Sequence, residues 1–223
     1  MTVHHPVTLI GNDIFARKII EASSFDFIHV AVDIGAHTGE SSTHCIFQGL
    51  EQKQIKKLYA LEPQKEPFKK LCENYKNYSW VIPVNKMTGK FCDYNTPEEI
   101  KIFYDNHFGS LNRMPFNNVM NIVNEEIGYL KQEKVEEDGI DWIIKDNKGL
   151  PDLIMLDASS FTHTYEIEFP KYYGTKVIIL DDTRCMKNML IRTHLLNDKT
   201  YNCFFDNINY RYGVSIFIKE KSI

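Results

Sequence analysis

Short β-branched runs alternate with amphipathic segments along this chain, and that alternation limits the folds open to it. Residues 28–34 (IHVAVDI) predict a strand, and residues 39–50 place apolar side chains at helical spacing. The pattern repeats with a strand over 56–63, an amphipathic helix over 64–77 and a strand over 79–85. Consecutive parallel strands need a crossover, so strands that alternate with helices predict a mostly parallel sheet built from βαβ units.

The second half of the chain continues the alternation and then reverses it. The predicted elements are a short helix, two buried strands and a second helix, over 138–149, 151–158, 174–182 and 184–198. Two further strands, 201–207 and 212–219, are joined by a short polar turn, which predicts an antiparallel hairpin at a sheet edge. The sequence therefore predicts an α/β fold with a seven-stranded, mostly parallel sheet and an antiparallel C-terminal hairpin.

Residues 86–137 interrupt this alternation. Residues 96–99 (TPEE) predict a capping box with proline at the first helical position, but residues 100–104 (IKIFY) alternate as a strand would. Residues 116–130 place apolar side chains on one helical face. Ligands of open α/β sheets bind outside the carboxyl ends of the strands. We interpret 86–137 as an insertion, a lid or substrate wall over the active site, within one domain spanning 1–223.

The composition disfavours several classes of protein. Lys and Arg number 26 against 30 Asp and Glu, and the basic residues are dispersed, which argues against a nucleic-acid partner. The five cysteines are widely spaced without a CxxC pair, which argues against a disulfide framework or zinc site and favours the cytoplasm. No stretch approaches the roughly 18 apolar residues that span a bilayer, so no membrane partner is expected.

The loop after the first predicted strand has the composition of a ligand-binding turn. It carries Gly35 and Gly39 where a backbone that leaves a strand must come close to a ligand. The dinucleotide pattern GxGxxG is absent, which makes a nicotinamide-dependent dehydrogenase a poor interpretation. Asp33 would repel a pyrophosphate but could accept hydrogen bonds from an ammonium group. The loop therefore predicts a nucleotide-like ligand that carries an ammonium group.

The DxGxxxG pattern of this loop resembles motif I of class I S-adenosylmethionine-dependent methyltransferases. The second strand ends at Glu62, and an acid at this point can accept both ribose hydroxyls of the cofactor. VDIGAHTGESS and ALEPQKEPFKKL are similar to segments of the FkbM-type family, with His37 in place of the usual asparagine. The resemblance implies a three-layer, Rossmann-like fold. It implies a cofactor site of Asp33, Gly35, Ala36, His37, Thr38, Gly39, Ser41, Glu62, Pro63, Asn85, Lys86 and Asp157.

The chain departs from the FkbM-type pattern after the fourth predicted strand, where IDVEGAE is replaced by LDASS over 156–160. The following SSFTHTYEIEF and VIILDDT instead resemble small-molecule O-methyltransferases, some of which are metal-dependent. That resemblance implies Asp157, Asp181 and Asp182 as ligands of Mg²⁺ or Ca²⁺. His163 is the candidate general base, because a histidine can accept a proton near neutral pH, and Asp157 is the second catalytic candidate. The alternative is that the three aspartates cap helices.

These features predict a methyltransferase that uses S-adenosylmethionine, with or without Mg²⁺, to methylate a hydroxyl of a small molecule or sugar. One rival is a metal-independent methyltransferase in which 86–137 forms the acceptor pocket. The other is a methyltransferase-like binding protein that has lost turnover, which the altered segment at 156–160 permits.

Overall fold

A seven-stranded sheet organises the computed structural model, which describes residues 13–107, 113–157, 159 and 161–220. Its strands are β1 (Val30–Ile34), β2 (Lys57–Leu61), β3 (Val81–Val84), β4 (Leu153–Leu156), β5 (Val177–Asp181), β6 (Tyr201–Asn207) and β7 (Val214–Lys219). The order across the sheet is β3-β2-β1-β4-β5-β7-β6. Strands β1 to β5 pair in parallel, and β7 pairs antiparallel with both β5 and β6. The predicted α/β fold and its antiparallel C-terminal hairpin are confirmed.

Helices cover both faces of the sheet. They are α1 (Ile14–Ser24), α2 (Ser42–Leu50), α3 (Lys65–Tyr75), α4 (Pro97–Asn106), α5 (Phe116–Gln132), α6 (Gly139–Asn147), α7 (Phe169–Tyr172) and α8 (Met186–Asn197). A 3₁₀ turn at Phe91–Asp93 and a π-helical turn at Thr164–Glu168 complete the described elements. No helix in this described part of the chain is both long enough and apolar enough to cross a membrane.

Strands β1, β2, β4, β5 and β7 are buried on both sides, which explains why they read as continuous apolar runs, whereas the edge strand β6 is largely exposed. Successive side chains of a strand point to opposite faces, so Ala31 packs with α1, α2 and α3 while Val32 packs with α6, α7 and α8. The same division holds for Leu58 and Tyr59 in β2. The result is three layers with an apolar core on each face of the sheet.

Helix α1 is an element that the sequence analysis did not predict. Asp13 caps it, since its side chain accepts hydrogen bonds from the backbone N–H groups of Phe15 and Ala16 at 2.7 and 3.1 Å. The helix packs closely on α2 at Gly49, where a Cβ atom would lie 2.5 Å from the Cβ of Ser23. It therefore extends the core on one face of the sheet.

The segment between β3 and β4 leaves the sheet at Lys86 and comes back beside this residue at Glu136. Lys86 forms a parallel bridge with Glu136, and the N–H of Met87 donates to the Glu136 carbonyl at 2.7 Å. Within the segment, α4 and α5 pack through a third apolar cluster that includes Phe103 and Val123. That this segment is a lid stays a prediction.

The ambiguity at 100–104 is resolved as helix α4. The predicted capping box at its start is present, because Thr96 N–H donates to Glu99 Oε2 at 2.7 Å and Glu99 N–H donates to Thr96 Oγ1 at 3.3 Å. Ile100 and Phe103 share the buried helical face, whereas Ile102 is 63% exposed. The alternation of apolar and polar residues at 100–104 is therefore part of a helical pattern, which over five residues resembles that of a strand.

Candidate active site

A cavity of about 490 Å³ opens at the carboxyl ends of β1, β2 and β4. On the sheet side it is lined by Gly35, Glu62 and Asp157, which follow those three strands. The opposite wall comes from α5, through Ile122, Glu126 and Leu130. Parallel strands bring their carboxyl ends to one edge of the sheet, so residues distant in sequence meet here. The volume falls within the usual range for small-molecule sites.

The loop after β1 is held against the end of β2 by its backbone. The N–H groups of Gly35 and Ala36 both donate to the carbonyl of Leu61 at 3.0 Å. Gly35 has φ +87° and His37 has φ +50°, so two residues of the turn are left-handed. Gly39 is also left-handed at φ +80°, and a Cβ there would lie 2.5 Å from a ring carbon of Tyr75. The loop can follow this path only with glycine at 39.

Glu62 is the best-positioned polar group of the cavity. It is 5% exposed, and its carboxylate accepts hydrogen bonds from the N–H groups of His37 at 2.8 Å and Gln64 at 2.7 Å. Burial raises the pKa of Glu62 to about 7, although these two hydrogen bonds oppose that rise. A carboxylate has about four acceptor positions, so two hydroxyl groups of a ligand can still bind. Glu62 is therefore fixed in place and able to accept a vicinal diol.

Asp33 lies beneath the loop and does not line the cavity. It is fully buried, and its Oδ2 accepts hydrogen bonds from Ser42 Oγ at 2.9 Å and Thr43 Oγ1 at 2.5 Å. Its Oδ1 has no hydrogen-bond partner among the described residues, and burial raises its pKa to about 6. Asp33 therefore anchors the first turn of α2, and direct contact with a ligand ammonium stays a prediction.

The structure brings together part of the predicted cofactor set. The predicted residues that line the cavity are Gly35, His37, Glu62, Pro63 and Asp157. The predicted residues that do not line it are Asp33, Ala36, Thr38, Gly39, Ser41, Asn85 and Lys86. Asn85 supports the site from behind, because its side-chain amide donates to the carbonyls of Glu62 and Pro63 at 2.8 and 3.1 Å. Lys86 is instead paired with Glu136.

Each of the three aspartates proposed as metal ligands is paired with a cation of the chain itself. Lys187 Nζ lies 2.7 Å from Asp157 Oδ1 and 3.2 Å from Asp182 Oδ2, and Arg211 Nη1 lies 3.0 Å from Asp181 Oδ2. Among the described residues, no group of three or more His, Cys, Asp or Glu side chains could hold a metal ion. The described structure therefore does not support the predicted Mg²⁺ or Ca²⁺ site, because the ammonium of Lys187 lies between two of its three carboxylates.

His163 does not share the main cavity with Asp157. It lines a neighbouring cavity of about 210 Å³ together with Phe103 and Met189, and Thr162 contributes to both cavities. Its Nε2 lies 3.3 Å from Glu99 Oε2. His163, the predicted general base, therefore lies outside the main cavity, next to Thr162, which lines both cavities.

The acidic residues of the cavity that escaped the sequence analysis include Glu126 and Glu168. Glu126 of α5 accepts a hydrogen bond from the hydroxyl of Tyr94 at 2.6 Å. Glu168 is 2% exposed, and its Oε1 has no hydrogen-bond partner among the described residues. Burial, assisted by the nearby charge of Asp93, raises the pKa of Glu168 to about 7. No sequence signal marks either residue, since only the fold brings α5 and the π-helical turn to the strand ends.

Several solved structures, two of them methyltransferases, have a similar fold. No protein-family model matches the chain, and no curated protein matches it significantly. The cofactor-bound protein Rv0187 from MTB matches with a TM-score of 0.55 and 10% identity, over 96% of this chain and 83% of that one. A methyltransferase from Geobacter sulfurreducens matches with a TM-score of 0.52 and 7% identity, over 96% and 82% of the two chains.

An O-methyltransferase from Bacillus cereus in complex with SAH is also similar. Its TM-score is 0.50 and its identity 12%, over 95% of this chain and 84% of that one. At such low identities the likeness shows the fold alone. The chain has the three-layer, Rossmann-like fold seen in these methyltransferase structures.

Proposed function

We propose that the chain is an S-adenosylmethionine-dependent methyltransferase that methylates a hydroxyl group of a small molecule or sugar. The observation that carries this proposal is the buried Glu62 carboxylate, which lines one cavity with the glycine loop after β1. The fold shared with methyltransferase structures supports it. The proposal keeps the FkbM-type resemblance of the segments 32–42 and 60–71, although no family model matches the chain.

The residues of the cavity fit the cofactor. Gly35 has no side chain and a left-handed backbone, so a ligand can approach the loop closely. Glu62 can accept the two ribose hydroxyls, and Asp157 can accept hydrogen bonds from the amino group of the methionine portion. S-adenosylmethionine supplies a methyl group on a sulfonium that is already a good leaving group. The chain's part is then to align the acceptor and to remove its proton.

Two groups are candidates for that proton transfer. His163 is the base predicted from the sequence, and an acceptor would have to reach it past Thr162. Glu168 lines the main cavity, and its pKa of about 7 suits a base that works near neutral pH. A comparison of His163→Asn with Glu168→Gln in a transfer assay distinguishes them, because only the variant of the true base loses turnover at unchanged cofactor affinity.

The proposal is tested by calorimetric titration of the protein with S-adenosylhomocysteine, followed by transfer assays with a panel of hydroxyl acceptors. We expect binding in the micromolar range and release of S-adenosylhomocysteine with at least one acceptor. A folded protein that binds neither S-adenosylmethionine nor S-adenosylhomocysteine would refute the proposal. Binding without turnover across the whole panel would instead favour a binding protein that has lost activity, as the departure at 156–160 permits.

A further inference from the structure

We infer that Lys187 is a built-in cation, occupying the place where the aspartates at the ends of β4 and β5 would otherwise gather a divalent metal. Methyl transfer in this chain is then metal-independent. The inference deepens the proposed function and rests on it for its catalytic meaning, but the charge arrangement can be tested without any turnover.

The position of Lys187 is fixed by the start of helix α8. Asn188, the next residue, donates its side-chain amide to the carbonyl of Leu156 at 3.0 Å and to the carbonyl of Asp181 at 2.5 Å. These bonds hold the first turn of α8 against the ends of both strands. Lys187 itself is 4% exposed, so its ammonium is held among the carboxylates rather than in solvent.

The charges of this cluster require a cation, and the lysine supplies it. Burial raises the pKa of Asp157, and the ammonium of Lys187 at 2.7 Å opposes that rise. Although burial alone would lower the pKa of Lys187, the carboxylates of Asp157 and Asp182 raise it, so the lysine stays charged. Without these carboxylates the buried ammonium of Lys187 would be left uncompensated, which is unfavourable.

A divalent ion would have to displace this ammonium to reach the carboxylates. Mg²⁺ demands near-octahedral oxygen ligands at about 2.0–2.1 Å, and Ca²⁺ demands six to eight oxygens at about 2.3–2.6 Å. The ammonium of Lys187 lies between Asp157 and Asp182, where such an ion would have to bind. The third carboxylate, Asp181, forms an ion pair with Arg211. Displacement would also leave Lys187 buried beside a second cation.

Lys187 acts on the cavity through Asp157, so it is a positioning residue. Asp157 lines the cavity, and the ion pair with Lys187 orients its carboxylate and favours the charged form. Lys187 also acts on Glu126 in the wall of the cavity. Burial raises the pKa of Glu126, and the positive charge of Lys187 partly opposes that rise. An ionised Asp157 is the form that accepts hydrogen bonds from the amino group of the cofactor.

The test compares the wild type with Lys187→Met, which keeps much of the length and removes the charge, and Lys187→Arg, which keeps the charge. Lys171→Met is the matched control, because Lys171 also pairs with two aspartates, Asp138 and Asp141, but outside the cavity. Each protein is titrated with Mg²⁺ and with Ca²⁺, followed by thermal unfolding and calorimetry, and then with S-adenosylhomocysteine in the presence of EDTA or metal.

We expect neither metal to raise the melting temperature of the wild type or of Lys187→Arg. The control should not respond either, because Lys90 still pairs with Asp138 and the side chain of Asp141 is 51% exposed. Lys187→Met should gain a Ca²⁺- or Mg²⁺-dependent rise, because its carboxylates are left without a cation. In EDTA its affinity for S-adenosylhomocysteine should fall roughly tenfold, and Lys187→Arg should restore it. A structural role alone would not create a new metal response.

Two results would overturn the inference. One is a wild type whose stability or cofactor affinity rises with Mg²⁺ or Ca²⁺ and falls with EDTA. The other is a folded Lys187→Met protein that responds to neither metal. If that variant does not fold, the wild-type titrations in metal and EDTA decide alone. Failure of S-adenosylhomocysteine to bind any protein would refute the proposed function, while the metal titrations would still decide the role of Lys187.

Discussion

Replacement of Glu62 by glutamine should weaken cofactor binding and stabilise the empty protein, two effects of opposite sign from one side chain. Glutamine keeps one acceptor oxygen but loses the charge that strengthens hydrogen bonds from the ribose hydroxyls. A hydrogen bond to a charged group contributes about 1.5–3 kcal/mol. Since about 1.4 kcal/mol is a factor of ten, the Kd for S-adenosylhomocysteine should rise by roughly 10- to 150-fold.

The stability effect follows from the pKa of Glu62. Burial raises it from 4.5 to about 7, so the folded protein holds this proton more tightly than the unfolded chain. The stabilising contribution is complete below about pH 4.5 and is lost as the pH rises through about 7. At pH 8 the buried charge of Glu62 lowers the free energy of unfolding by about 3 kcal/mol. Glutamine removes this cost but also loses one backbone hydrogen bond, so the net stabilisation should be about 2 kcal/mol.

The assay is calorimetric titration with S-adenosylhomocysteine between pH 6 and pH 8, with urea unfolding of the unliganded protein. Wild-type affinity should rise with pH as Glu62 ionises, and the Glu62→Gln variant should lose that part of the dependence. Glu40→Gln is the matched control, because Glu40 lies in the same loop, is exposed and does not line the cavity. A Glu62→Gln protein with wild-type affinity and wild-type pH dependence would refute the assignment of Glu62 to the ribose.

Three further predictions follow from the same cavity and its surroundings. Glu168→Gln should raise stability by up to about 3 kcal/mol at pH 8 and by little at pH 5, because burial raises the pKa of Glu168 to about 7; thermal unfolding at both pH values checks this. Gly39→Ala should lower the free energy of unfolding in urea by at least about 2 kcal/mol, because residue 39 has a left-handed φ and its new Cβ would collide with Tyr75. In Gly128→Ala the new Cβ has no atom within 4 Å, so this control variant should stabilise α5 by about 0.5–1 kcal/mol. His163→Asn should leave the Kd for S-adenosylhomocysteine within about twofold, a change well under 1 kcal/mol, because it lines the neighbouring cavity; a larger loss in calorimetry would contradict that placement.

The fold could be predicted where the sequence pattern has one physical meaning. Apolar runs such as 28–34 and 174–182 are too short for most helices and too apolar for a solvent-facing strand, so a buried parallel sheet was the consistent interpretation. Helix α1 was missed although its signals are local, since Asp13 is a capping residue and Phe15, Ile19 and Ala22 lie at helical spacing on its buried face. Its close packing on α2 at Gly49 could not be predicted, because that contact depends on the tertiary structure.

The candidate site could also be predicted only in part from the sequence. Gly35, Glu62 and Asp157 could be predicted to meet, because the rule that parallel strands share a carboxyl edge needs only strand order. The wall formed by α5 could not, since the position of Glu126 depends on how α5 packs through Val119 and Val123 in the apolar cluster it shares with α4. An amphipathic pattern predicts a buried face but not the direction in which the opposite face looks.

The corrected metal site shows what a cluster of carboxylates does and does not imply. Three aspartates at adjacent strand ends require positive charge nearby, but that need is equally met by Mg²⁺ or by a lysine from the next helix. The difference matters for the acceptor. A divalent ion binds several oxygens at once and so favours acceptors with adjacent hydroxyl groups, whereas an ammonium is a compact point charge that imposes no such geometry. With Lys187 in the place of a metal, acceptors with a single hydroxyl group should be methylated as readily as diols, so the acceptor panel should hold matched pairs of both.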